Sequence, residues 1–170
     1  LKDLLIYSDP IFSLNDERIS GKPQNQVSEK TDLELLSDID SFDDLERLNE
    51  SENEAQKIVQ NFYQTNTQII SGFSANRADF LNHNLAEFKI LHFSTHGILN
   101  EKVPELSGIV LSQYNEQGNK QNGFIWLDDI YRLKIASDLV VLSACDTGIG
   151  QDIKGEGLMS LSNGFLQVGA

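Results

Sequence analysis

Asp138-Leu139-Val140-Val141-Leu142-Ser143-Ala144-Cys145-Asp146-Thr147-Gly148 is an apolar run that ends on the only cysteine of the chain. An earlier run, Lys89-Ile90-Leu91-His92-Phe93-Ser94-Thr95-His96-Gly97, ends in the same way on a histidine. Both have the near-continuous apolar character of strands buried on both faces of a parallel sheet. In an open parallel sheet, ligands and reactive groups collect at the carboxyl ends of the strands. If these two strands are neighbours, a thiol and an imidazole meet at one rim, which is the pairing that activates a cysteine nucleophile.

The pattern outward from these runs alternates strands and helices. Leu4 to Ser8 reads as a strand ended by Asp9-Pro10. Ser51 and Glu54 have capping-box spacing, and Ala55, Ile58, Val59, Phe62 and Tyr63 follow as one helical stripe. Thr67 to Ser71 is a second strand. Ser74 is placed to cap a second helix that turns Ala75, Ala78, Leu81 and Leu85 to the core. Residues 108–111 and 123–126 read as a hairpin, 128–133 as a short helix, and 156–166 as a last helix. Strands separated by helices predict an α/β fold, a mainly parallel sheet with helices on both faces. A sheet of this kind is expected to continue into another strand after Val168-Gly169-Ala170. The domain therefore reads as C-terminally incomplete, and the chain, which opens on Leu1, as a fragment of a longer protein.

The whole chain, 1–170, reads as a single domain interrupted by a polar loop or insertion at about 11–49. Within it, the stretch 32–46 holds seven acidic residues and no basic one. Its plain reading is a solvated excursion; its functional reading is a docking or cleavage segment. Leu33, Leu35, Leu36, Ile39 and Phe42 would support a helical turn or two there. A formal net charge of −13 opposes binding to nucleic acid and to anionic membranes. No apolar stretch has the length of a membrane span. A single cysteine rules out an internal disulfide and multi-cysteine metal sites, and fits a reducing, cytoplasmic setting. No cofactor or metal is called for.

A thiol attacks a carbonyl as its thiolate, so Cys145 needs a nearby cation or helix N-terminus to favour that form. His96 can supply the cation and later protonate a leaving amine. The plain alternative for Cys145 is a small buried apolar residue, and its pairing with His96-Gly97 at an equivalent strand end weighs against that. The amides of Gly97 and Cys145 are candidate donors to a developing oxyanion. Asp146 is either a turn cap or a pocket residue for a basic side chain. His92, four residues before His96, is read as a core histidine bonded to a neighbour. His83, at a helix end, is read as a surface residue near the C-terminal dipole. The glycines at 148, 150, 155 and 157 match neither nucleotide-binding spacing. They are the sole support for a flavodoxin-like nucleotide-binding alternative, which a nucleotide titration would test.

Taken together, Leu91 to Gly97 (LHFSTHG), Leu106 to Ser112 (LSGIVLS), Asp138 to Gly148 (DLVVLSACDTG), Gly155-Glu156-Gly157-Leu158, Gly164-Phe165-Leu166 and Gly169-Ala170 resemble a CHAT domain. That family consists of caspase-like cysteine peptidase domains, usually found with tetratricopeptide repeats. The resemblance implies a caspase-like fold and a dyad of His96 and Cys145. It also implies an oxyanion site at the amides of Gly97 and Cys145, and cleavage of a protein or peptide substrate under control of a repeat region or regulatory partner outside this chain. SACDTG stands where caspases have QACRG, so an aspartate-binding pocket is not implied. The rival is a non-catalytic signalling or scaffold domain with the same fold. The intact histidine and cysteine weigh against it.

Overall fold

A computed structural model of the chain describes residues 1–21, 45–100, 103–143 and 156–170. Four parallel strands form the main sheet: β1 (Lys2–Ser8), β2 (Thr67–Ser71), β3 (Phe88–Ser94) and β7 (Leu139–Leu142), in the order β2-β1-β3-β7. Three short strands, β4 (Gly97–Ile98), β5 (Gly108–Val110) and β6 (Phe124–Trp126), form a second, antiparallel sheet. The helices are α1 (Ser51–Val59), α2 (Arg77–Asn82), α3 (Leu127–Tyr131) and α4 (Glu156–Gln167). The α/β architecture with helices on both faces is as the sequence predicts.

Side chains alternate across β1 because successive residues of a strand point to opposite faces. Leu4 and Ile6 pack with Ala55, Ile58 and Val59 of α1, joined by Ile69 and Ile90. Leu5 and Tyr7 face the other way, into a cluster with Phe80 of α2, Ile130 of α3 and Phe165 of α4. Tyr7 stacks on Phe93, which in turn stacks on Phe165. Both faces of the central strands are therefore dry, and Leu5, Ile6, Phe80 and Phe88 are fully buried.

Several local expectations are corrected. Ser51 and Glu54 do not form a capping box: the first turn of α1 has no side-chain cap, and the Ser51 hydroxyl instead accepts the Asp9 amide at 3.0 Å. Tyr63 lies past the end of α1 and is 82% exposed. The cap of α2 is Asn76, whose side chain accepts from the Asp79 amide, and not Ser74. That shift of register leaves Ala78 and Leu81 exposed and makes Phe80 the buried anchor. Among the described residues β7 pairs with β3 alone, and its Leu139 is half exposed.

The predicted hairpin is present, with Ile109 opposite Ile125. Gly108 is required there, since a Cβ would strike the Ile125 carbonyl. The sequence did not suggest β4, in which Gly97 pairs with Ile109 and joins the hairpin to the end of β3. The described ends of the 11–49 segment are packed rather than solvated. Ile11, Phe12 and Leu45 are buried, and Phe12 and Leu45 join Ile98, Val110 and Phe124 in a core of their own. The residues that would form its helical turns lie outside the described residues.

Candidate active site

The register sets the carboxyl rim of the sheet. Ser8 lies opposite Ser94, and Phe93 opposite Leu142. The Ser143 amide then donates to the Phe93 carbonyl at 2.9 Å, so the chain leaves the sheet beside the end of β3 on its way to Cys145. The strands that lead to the histidine and the cysteine are thus parallel neighbours, as expected. Cys145 and Asp146, with the glycines at 148, 150 and 155, lie outside the described residues.

His96 is held from three sides. The preceding Thr95 donates its hydroxyl to the Val110 carbonyl, and the His96 carbonyl accepts the Val110 amide at 2.8 Å. Phe12 meets the imidazole edge-on, with ring centroids 4.6 Å apart. Nε2 lies 2.7 Å from the Glu46 carbonyl oxygen. A carbonyl can only accept, so Nε2 carries the proton, and in the neutral ring Nδ1 is the basic nitrogen. Nδ1 is buried and has no hydrogen-bond partner among the described residues. Burial pushes the His96 pKa below its ordinary value, and the Glu46 carbonyl only partly offsets this. Gly97 follows as the first residue of β4, buried against the hairpin.

Glu46 owes its position to an ion cluster at the end of β1. Asp9 has a positive φ of 46°, a region that aspartate tolerates better than most residues. Its carboxylate receives Arg47 through Nε at 2.9 Å and Nη2 at 2.8 Å, and Arg18 Nη1 at 2.6 Å. Arg18 also binds Asp16. This cluster ties both described ends of the 11–49 segment to the rim. A cleft of about 520 Å³ opens between them, lined in part by Phe12, Asp16, Glu17, Glu46 and Arg47.

A second polar group lies on the α1 face. His92 sits in the register of Ile6, one step inside the row formed by Ser8 and Ser94. Glu54 reaches over this row. One of its oxygens accepts the Ser94 hydroxyl, the other accepts Ser143 Oγ at 2.7 Å, and His92 Nε2 lies 3.7 Å away. Burial pushes the Glu54 carboxyl up, but the two hydroxyls and the His92 ring outweigh it and hold the group below the usual carboxylate range. Burial lowers the His92 pKa more than Glu54 raises it.

His92 is the core histidine that the sequence predicts, though its neighbour is a carboxylate at ion-pair distance rather than a hydrogen-bonded one. His83 is corrected. Its side chain is only 17% exposed, packed against Tyr7 and Phe88, with Nδ1 3.5 Å from Asp79. The roles of Asp9, Glu46 and Glu54 were not anticipated. Asp9 was visible only as a turn residue and Glu54 only as a cap, and a backbone carbonyl leaves no trace in a sequence. Among the described residues, no three potential metal ligands converge, and no helix is long and apolar enough to cross a membrane.

A parallel sheet that sets a buried histidine beside the strand leading to a lone cysteine has the architecture of the caspase-like α/β class. The family model for the CHAT domain matches residues 6–170, nearly the whole chain, and the chain belongs to that caspase-like, peptidase-related family. A comparison with curated proteins finds no match.

The buried rings make stability depend on pH. Both histidines have folded pKa values below the ordinary value of about 6.5, so the unfolded chain takes up their protons first. Their contribution is complete above about pH 6.5 and is lost as pH falls through the folded values. Glu54 acts in the same direction at lower pH, contributing above about 4.3 and losing that contribution as pH falls through its own depressed value. The melting temperature is therefore expected to fall on acidification from about pH 7.5 to 5.5. His92→Ala is expected to flatten that slope and to cost about 1–3 kcal/mol by urea unfolding, through lost packing. An unchanged melting temperature in His92→Ala would remove His92 from the core.

Proposed function

We propose that the chain is a cysteine endopeptidase domain that cleaves a protein substrate through His96 and Cys145. The observation that carries this reading is the tautomer of His96. The Glu46 carbonyl occupies Nε2, and Nδ1 remains a buried acceptor just past the end of β3, the strand that neighbours β7. A ring kept neutral by burial accepts a proton at neutral pH. Nδ1 takes the Cys145 proton, and the thiolate attacks the scissile carbonyl carbon. The amides of Gly97 and Cys145 serve the oxyanion, in the role the sequence assigns them. As the C–N bond breaks, His96 returns the proton to the amine. A water, deprotonated by the same ring, then hydrolyses the thioester and frees the thiol.

The partners in this reading are a protein or peptide substrate and a regulatory region, such as tetratricopeptide repeats, outside this chain, in a cytoplasmic setting. Asp146 is a candidate pocket residue for a basic side chain. The test is a search for new protein N-termini in cells making the full-length protein, wild type against Cys145→Ala. Termini that appear only with the wild type are expected. Identical sets of termini, with both proteins folded, would favour a non-catalytic scaffold.

A further inference from the structure

We infer that Glu54 is a positioning residue for the dyad, a clasp whose carboxylate ties the end of the strand leading to His96 to the end of the strand leading to Cys145. The inference rests on the peptidase reading above. Ser94 is the last residue of β3, and Ser143 directly follows β7. One carboxylate oxygen takes each hydroxyl, so the two strand ends are joined through a helix that belongs to neither. A carboxylate accepts two hydroxyls without leaving a donor unsatisfied.

Among the described residues, this clasp acts where few backbone bonds hold the end of β7. β7 has only four residues, pairs with β3 alone among the described residues, and has Leu139 half exposed. Beyond the last paired residue, Leu142, the Ser143 amide adds a single bond to β3. Docking of α1 does not need the carboxylate, since Ala55, Ile58 and Val59 already bury its apolar side against Leu4 and Ile6. Glu54 instead spends its charge at the rim, two residues before each dyad member on their own strands. A displacement of about 1 Å between a nucleophile and its base can cost roughly a hundredfold in rate.

Cys145 is the only thiol in the chain, so its alkylation by iodoacetamide reads its reactivity without background. The rate would be followed from about pH 5 to 9 in wild type, Glu54→Ala, Glu54→Gln, Ser143→Ala and His96→Ala, with melting temperatures measured alongside. In Glu54→Ala the rate at pH 7 is expected to fall about tenfold or more, and the profile to move towards that of an unassisted thiol, near about 8.5. Glu54→Gln is expected to stay within about threefold of wild type, because its amide can accept from one serine and donate to the other. Ser143→Ala, at an exposed position, removes one arm of the clasp and is expected to fall between them. If Glu54→Ala fails to fold, Ser143→Ala decides: slowing supports the clasp, and a wild-type profile overturns it. A wild-type profile in Glu54→Ala, or a glutamine variant as slow as the alanine, overturns it while leaving the dyad standing. A wild-type rate indifferent to His96→Ala overturns the dyad itself, and the clasp with it.

Discussion

Cleavage by the full-length protein is expected to vanish in Cys145→Ala and to fall by roughly 10²–10⁴-fold in His96→Ala, the range for loss of a positioned general acid–base. The two substitutions act on one proton. Without the imidazole, an ordinary thiol near pH 7 is mostly protonated, and the leaving amine has no acid. Without the thiol, the imidazole has nothing to activate. The double variant is therefore expected to be no worse than Cys145→Ala alone, since groups that act as a unit are not additive. His96 is only 6% exposed and packs against Phe12, so removal of its imidazole also leaves a cavity. His96→Gln, of similar bulk, separates the chemical loss from the packing loss. Rates for purified variants on a substrate found by the terminus search would check this. Equal cleavage by wild type and His96→Gln would remove His96 from the reaction.

Asp9→Ala is expected to be the most destabilising single change at the rim, at about 3 kcal/mol, because it removes the buried carboxylate that two arginines share and leaves them only Asp16 and Glu17. In a domain of this size that corresponds to a drop of roughly 6–12 °C in melting temperature. Asp9 is 2% exposed, whereas Arg18 and Arg47 keep 23% and 29% of their side chains in solvent. The arginines recover some hydration, so the cost belongs at the lower end of the range for broken buried pairs. The change also loosens Arg47, which keeps only the exposed Glu17, and with it the adjacent Glu46 carbonyl, which sets the proton on His96 Nε2. Cys145 alkylation is therefore expected to slow even at temperatures where the variant remains folded. An unchanged melting temperature would show that the cluster is screened by solvent and contributes nothing.

The main strands and their parallel arrangement were legible because they depend on contiguous residues. β-branched and leucine-rich runs bounded by Asp9-Pro10 or by helical stripes need no tertiary information to be recognised. The hairpin at Gly108 and Phe124 was legible for the same reason. Errors fell where register within an element decides the outcome. Asn76 and Ser74 are both plausible caps, and moving the start of α2 by two residues turned Phe80 inwards and Leu81 outwards. Ser51 and Glu54 had the spacing of a capping box, but both side chains had better partners elsewhere in the fold.

By itself, the sequence determined that this protein is an α/β domain of the CHAT family, with a histidine and a lone cysteine at the ends of two apolar strands. Those are properties of local pattern and of residue type. Only the tertiary structure decided which nitrogen of His96 carries the proton in the neutral ring, because its partner is a backbone carbonyl 50 residues away. It alone placed Arg47 on Asp9 across 38 residues, and Glu54 on Ser143 across 89. Hydrogen bonds and ion pairs act over a few ångströms of space, and the distance between residues along the chain does not predict which polar groups the folded sheet will bring that near.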